Sequence, residues 1–343
     1  MGDSRMTGAS AGLVIDDLSI GFAGGRREAI SSLSLAVSAG ESVGLVGESG
    51  SGKSLTARAV LGILPPGVAV KGRILFDGAS VLDLSPQEMR KLRGSGVAMI
   101  FQDPMSSLNP VLSVGDAIVQ VILSHSGVSR GEARSRAVEL MQRVGIRDAA
   151  SRASSYPHEF SGGMRQRIMI AMVLAARPRL LLADEPTTAL DVIVQAGILE
   201  LLADLRRSEG MGLLFISHDL AVVAAVCDRI AVMYAGEIVE EGPTAAVLSQ
   251  PNMPYTLGLL ASTRRVRGTR RLSSIAGAPP PPGERPSSCR FAARCPLVVE
   301  RCLAGPIPLA HVAPGRTARC VRAAEVSRLD PSIFASTEKV VHV

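Results

Sequence analysis

Two segments of this sequence combine residue types and spacings suited to phosphate chemistry. Gly47-Glu48-Ser49-Gly50-Ser51-Gly52-Lys53-Ser54, followed by Leu55, fits G-x-x-x-x-G-K-[ST]. Its glycines let backbone N–H groups converge on phosphate oxygens, and a helix opening at Ser54 adds roughly half a positive charge. Lys53 would reach the β- and γ-phosphates and Ser54 would ligate Mg²⁺. Lysine occurs only at positions 53, 71, 91 and 339, so general basicity does not account for the one here. The second segment, Leu180 to Glu185, is an apolar run ending in two carboxylates. Asp184 would hold Mg²⁺ directly or through water, and Glu185 would orient and polarise an attacking water. Ser161-Gly162-Gly163 opens a further helix and makes another anion-binding N-terminus, one more than a single nucleotide needs, which points to the nucleotide of a second molecule.

A different chemistry is written into the C-terminal part. Cys289, Cys295, Cys302 and Cys320 follow C-x5-C-x6-C-x17-C, so four of the five cysteines fall within 32 residues. A reducing interior disfavours disulfides. The missing C-x-x-C pairs weigh against zinc, whereas the looser spacing suits a [4Fe–4S] cluster; free structural thiols are the third reading. Arg290, Arg294, Arg301 and Arg319 each adjoin a cysteine, where positive charge would suit an anionic cluster. Cys227 sits in an apolar helical stretch and reads as core packing.

Positioning these residues requires strand and helix in alternation. Short strands are expected from Leu13, then a strand over Ser42–Val46 feeding the glycine loop and a helix over Ser54–Leu64 closed by Pro65 and Pro66. Further strands are expected over Arg73–Phe76 and Val97–Phe101. The period turns helical between about Pro110 and Arg177, most clearly over Arg130–Val144 and Met164–Ala176. The apolar runs Leu180–Ala183, Leu213–Ile216 and Ile230–Met233 read as parallel strands buried on both faces, which predicts an α/β fold.

Bulk composition narrows the classes. At 343 residues and 47% hydrophobic, the chain can build a substantial core and is not disordered as a whole. The longest apolar run, Ile168–Ala176, is too short to span a bilayer, and the N-terminus has no secretory pattern, so a cytosolic location is expected. Aromatic content of 3% without tryptophan argues against a base-stacking reader of single strands. Residues 264–343 hold 13 Arg and one Lys against five carboxylates, a balance of +9; the total is +6, so residues 1–263 carry −3. The charge therefore suggests an anionic partner, a cluster or a membrane face, for the tail rather than for the whole chain.

The joint pattern resembles the ATP-binding cassette (ABC) ATPases. Gly47–Ser54 looks like the Walker A loop, Ile100-Phe101-Gln102-Asp103-Pro104 the Q-loop, Ser161–Gln166 the signature, and Leu180–Glu185 Walker B. Ala189-Leu190-Asp191 looks like the D-loop, and His218 in Ile216-Ser217-His218-Asp219 the switch histidine. The resemblance covers roughly residues 13–250 and implies a P-loop NTPase (ABC ATPase) with a RecA-like core, an antiparallel β subdomain, a helical subdomain over about 110–177, and a small cysteine-containing C-terminal extension. It further implies two such domains paired head to tail. Ser161, Gly162, Gly163, Met164 and Asp191 would face the partner's ATP. Gln102 would meet Mg²⁺ and the γ-phosphate, and His218 would position the attacking water and γ-phosphate. Phe22, the only aromatic residue before the loop, is the candidate from that region to stack on adenine.

Within that group, Phe160–Arg167, Asp184–Val192, Phe101–Pro110 and Asn252-Met253-Pro254-Tyr255-Thr256 closely resemble the oligopeptide/dipeptide/nickel importer ATPases, with Met164 favouring the D-type subunit. Cys289–Pro296 resembles their C-terminal extension, in which some members bind a [4Fe–4S] cluster. The implied partners are an F-type ATPase subunit, two membrane permeases and a periplasmic or lipid-anchored solute-binding protein, with the chain peripheral on the cytoplasmic face of the inner membrane. Nickel or another small solute remains open as the cargo. A soluble ABC ATPase acting on nucleic acid is the competing class, and nucleic acid is not the expected partner. The organisation read from the chain is a tail over 1–12, the cassette over 13–263, a basic and Pro-rich linker over 264–288, the four-cysteine extension over 289–325 and a tail over 326–343.

Overall fold

A computed structural model describes residues 12–22, 27–102, 107–188, 190–263 and 275–334. The strands in chain order are β1 Leu13–Phe22, β2 Arg27–Val37, β3 Ser42–Val46, β4 Val68–Phe76, β5 Ala79–Ser80, β6 Val97–Ile100, β7 Leu180–Asp184, β8 Gly212–Ser217, β9 Arg229–Tyr234, β10 Glu237–Pro243, β11 Ala310–Ala313 and β12 Arg316–Ala318. The helices of six or more residues are α1 Lys53–Val60, α2 Pro86–Leu92, α3 Val114–His125, α4 Arg130–Arg143, α5 Gly162–Ala175, α6 Val192–Glu209, α7 Leu220–Val226, α8 Thr244–Ser249 and α9 Pro254–Thr263. The expected elements are present, with ends shifted by a few residues: the first helix begins at Lys53 and the fourth strand begins at Val68. Among the described residues no helix is long and apolar enough to cross a membrane.

The chain divides into two compact units. The first comprises Met1–Leu13, Val37–Glu41 and Phe76–Phe215. Here β6 and β7 run parallel, Val97 opposite Leu180 and Ile100 opposite Ala183, with β8 on the other side of β7. Every residue of β6 and β7 is buried, as unbroken apolar runs require of a strand covered on both faces. Helices α3, α4 and α5 pack on one another. Ser113 and Ser129 cap α3 and α4 by accepting from the backbone N–H of Asp116 and Glu132, which fixes where each begins. Ala133, Ala137 and Met141 recur every fourth residue and give α4 a single buried stripe.

The second unit comprises Val14–Ala36, Ser42–Leu75 and Ile216–Val343. One sheet follows the order β2-β1-β4, and another runs β11-β12-β10-β9-β3. Strand β3 is parallel to β9, and β9–β10 is an antiparallel pair. The C-terminal segment continues this sheet, because β12 pairs with β10, Glu240 opposite Ala318 and Glu241 opposite Thr317.

The basic tail is also fastened from within. Arg285 donates to the carbonyls of Glu28 and Ala29, and Arg290 donates to the Ala235 carbonyl and Ser31 Oγ and pairs with Glu237. Arg319 donates to the carbonyls of Ile238 and Ile307. Glu240, fully buried, accepts from the backbone N–H of Asn252 and Met253 just ahead of α9 and pairs with Arg316. Burial outweighs these favourable partners and raises the Glu240 carboxyl from 4.5 to about 7. Many of the donors of these arginines are thus taken up by carbonyl oxygens, the Ser31 hydroxyl and carboxylates of the same unit.

Candidate nucleotide site

Strand β3, buried throughout, delivers the chain to Gly47, and nothing larger than glycine fits there: a Cβ would lie 2.0 Å from the Met233 carbonyl oxygen. Gly52 caps α1 with φ of 112° and offers no side chain, so the first turn of the helix has no side-chain cap. Lys53 is only 5% exposed, yet its ammonium is satisfied by the loop itself, donating to the carbonyls of Gly47 at 2.7 Å and Glu48 at 2.9 Å. A cation curled over a glycine-rich loop at a helix start is the arrangement that binds phosphate. The Ser51 carbonyl accepts from Gly236 in the β9–β10 turn, and the Glu48 N–H donates to the Tyr255 hydroxyl at 2.8 Å, which ties the loop to its own unit at both ends. Ser54 and Leu55 lie in the first turn of α1, and Phe22 is the half-buried last residue of β1.

In the other unit Asp184 ends β7, 3% exposed, and Glu185 follows with φ of 46°. A left-handed backbone at a non-glycine residue is strained and is held here by neighbours. Gln102 Nε2 donates to Glu185 Oε2 at 3.2 Å and Thr188 Oγ1 donates to the same oxygen at 2.8 Å, so the sharp turn gives the carboxylate a fixed orientation. Asp191 caps α6, its Oδ1 accepting from the N–H groups of Ile193 and Val194. Ser161 caps α5 by accepting from Met164 N–H at 3.4 Å, and both Ser161 and Gly162 are exposed. Gly163 faces α6 closely: a Cβ there would lie 2.4 Å from Val194 Cγ1. Phe160 is a buried anchor under the Arg152 guanidinium, 4.9 Å from its ring centre.

The structure therefore brings Gln102 and Glu185 together in the first unit and gathers Gly47–Leu55 in the second. His218 belongs to the second unit and is exposed in the turn between β8 and α7, beside Asp219, which caps α7 through Ala221 N–H. Of the proposed Mg²⁺ set, Ser54 belongs to the second unit and Gln102 and Asp184 to the first. Asp103 and Pro104 of the Q-loop, Met105 and Ser106 after it, and Ala189 of the D-loop lie outside the described residues, as do most of the N-terminal tail, linker residues 264–274 and residues 335–343.

Cys289, Cys295, Cys302 and Cys320 line one cavity together with Met253, Pro254 and Phe291. All four are free thiols, and burial pushes Cys295 up to about 12, Cys320 up to about 11 and Cys289 upward. Among the described residues, however, no group of three or more His, Cys, Asp or Glu is arranged to hold a metal ion. Three of the arginines that adjoin these cysteines, Arg290, Arg294 and Arg319, bond to carbonyls, hydroxyls and carboxylates of the cassette instead. Sequence reasoning missed Tyr234, Tyr255 and Arg294 as parts of the loop's surroundings. Two of the chain's three tyrosines in otherwise apolar stretches were the available signal, since a buried tyrosine hydroxyl needs a partner.

A phosphate loop on a strand–helix turn and a strand ending in paired carboxylates define a P-loop ATPase. Solved structures of one class share this fold. A dimeric ATP-binding cassette, MJ0796, bound to ADP and phosphate matches with a TM-score of 0.60 and 28% identity over 68% of this chain and 98% of that one. The cbiO1 subunit of an ABC transporter from Clostridium perfringens matches with 0.61 and 28% over 70% and 91%. Residues 30–188 match the ABC transporter family and residues 239–302 the oligopeptide/dipeptide transporter C-terminal region. The oligopeptide transport ATP-binding protein OppD of Bacillus subtilis is 49% identical over 82% of this chain and 80% of its own length. OppD and the dipeptide transport ATP-binding protein DppD of Escherichia coli are 44% and 46% identical, covering 92% and 90% of this chain and 95% of each relative. The chain belongs to the ABC transporter ATPases, in the branch of the OppD and DppD ATP-binding proteins.

Proposed function

We propose that the chain is the ATP-binding and ATP-hydrolysing subunit of a bacterial importer that takes up oligopeptides or dipeptides across the inner membrane, lying peripherally on its cytoplasmic face. Identity of 44–49% over 82–92% of the chain to proteins named for oligopeptide or dipeptide transport is the observation that supports this most. An F-type ATPase subunit, two permeases and a solute-binding protein complete the assembly in this reading.

Gly47–Leu55 cradles the phosphates of ATP, with Lys53 reaching β- and γ-phosphate oxygens from its seat on the loop carbonyls, while Phe22 stacks on adenine. Ser54 and Asp184, with Gln102, would hold Mg²⁺, which when bound neutralises charge on the phosphates. Glu185, already oriented by Gln102 and Thr188, takes the proton of the attacking water, and His218 positions that water. Ser161, Gly162, Gly163, Met164 and Asp191 meet the partner subunit's ATP, so closure on ATP and reopening after hydrolysis are coupled to the permeases. Cys289, Cys295, Cys302 and Cys320 would hold a [4Fe–4S] cluster, with Zn²⁺ the competing occupant; four thiols around one apolar-walled cavity are a suitable donor set in kind and number. Deleting the gene tests the cargo: uptake of labelled di- or tripeptide falls to background while nickel uptake persists. Loss of nickel uptake alone, or of neither, overturns the peptide reading.

A further inference from the structure

Glu48, the second residue of the phosphate loop, is held from two directions, and both lead to the four-cysteine segment. Arg294, one residue before Cys295, grips the Glu48 carboxylate as a fork: Nη1 donates to Oε2 at 2.7 Å and Nη2 to Oε1 at 2.9 Å. Its remaining donors are also engaged, Nε with the Ala276 carbonyl, Nη2 with that of Ile275 and Nη1 with the Tyr234 hydroxyl. All five guanidinium hydrogens thus have acceptors, on a side chain that is 6% exposed. The second hold is through Tyr255, whose hydroxyl accepts from Glu48 N–H. Its ring packs against Tyr234 and Phe291, with centroids 4.6 and 5.4 Å away, and Phe291 forms a wall of the cysteine-lined cavity. Glu48 in turn offers its carbonyl to Lys53 Nζ.

We propose that Arg294 is a positioning residue for nucleotide binding: by clamping Glu48 it fixes the carbonyl that holds Lys53, and so makes the C-terminal extension part of the scaffold of the phosphate loop. The inference rests on the reading of Gly47–Ser54 as the nucleotide site. An exposed ion pair would contribute little, but this one is bidentate with its guanidinium buried and its carboxylate only 27% exposed, and its planar fork cannot be reproduced by an ammonium group. The clamp joins residues 246 positions apart within one unit, and every Arg294 donor is held by a protein acceptor, so it acts through Glu48.

The test uses the full chain and a fluorescent Mg·ATP analogue, below the melting temperature of each variant. Arg294→Ala and Glu48→Gln should each raise the dissociation constant about tenfold, and the double variant should lose no more than either single one, because both remove the same link. Arg294→Lys, which keeps the charge and stem and stands in if the alanine variant does not fold, should show most of the loss. Unchanged affinity in Arg294→Lys or Arg294→Ala, or effects that multiply to about a hundredfold in the double variant, overturns the proposal. A lowered melting temperature with unaltered affinity does the same and makes Arg294 only a fastener of the extension. Failure of the unsubstituted chain to bind Mg·ATP would instead refute the nucleotide site itself.

Discussion

Glu185 combines a strained backbone with two donors on one carboxylate oxygen. Its φ of 46° costs on the order of 1–3 kcal/mol at a non-glycine position and persists because Gln102 and Thr188 hold the side chain the turn presents. Glu185→Gln keeps the shape and removes the basic oxygen, so ATP hydrolysis should fall by roughly 10²-fold or more with nucleotide affinity retained, as steady-state turnover and equilibrium binding will report. Glu240 shows the opposite use of burial. Its carboxyl titrates at about 7 in the folded chain and at 4.5 in the unfolded one, so below 4.5 both states are protonated and burial brings no charge penalty. Between 4.5 and 7 only the unfolded state releases the proton, and stability falls as pH rises, by up to about 3 kcal/mol from this group alone. Denaturant unfolding across that range should show the slope, and Glu240→Gln should flatten it; an unchanged slope would remove Glu240 as its source.

At the scale of elements, α5 and α6 meet through Gly163, where even a methyl group would collide with Val194. Val194 is β-branched and its χ1 is stiff, so the helices must separate to admit one. Gly163→Ala should therefore destabilise the fold by about 1–3 kcal/mol, and Val194→Ala in the same chain should restore much of the loss; thermal unfolding of the pair decides it. Much at this scale was legible. Strand β3 matches its expected bounds because an unbroken apolar run leading to a glycine loop has one reading, and α4 was placed to within a residue by its period. Strands β11 and β12 were not legible, since β11 is largely exposed and the pairing partner of β12, β10, lies some 75 residues away in sequence. The candidate site divides the same way. The loop, Asp184 and Glu185 are local motifs, whereas the clamp of Arg294 on Glu48 and the hydroxyl of Tyr255 depend on where distant segments dock.

For the whole molecule, the division of charge into −3 and +9 acquires a structural meaning. Arginines of the C-terminal segment bind carbonyl oxygens and carboxylates of the cassette, and the segment adds a hairpin to the sheet that contains β3, the strand leading to the phosphate loop. If the four thiols that line one cavity hold the proposed cluster, anaerobically purified protein should be brown and contain about four iron atoms per chain; colourless protein without iron would remove the cluster. In the proposed function, ATP hydrolysis by this chain drives peptide import. The most direct measurement is ATP turnover by the complete transporter in proteoliposomes, with and without peptide-loaded solute-binding protein. Peptide should stimulate turnover, and the stimulation should disappear with Glu185→Gln in this chain. Turnover indifferent to peptide, or stimulation that survives that substitution, would contradict the proposed function.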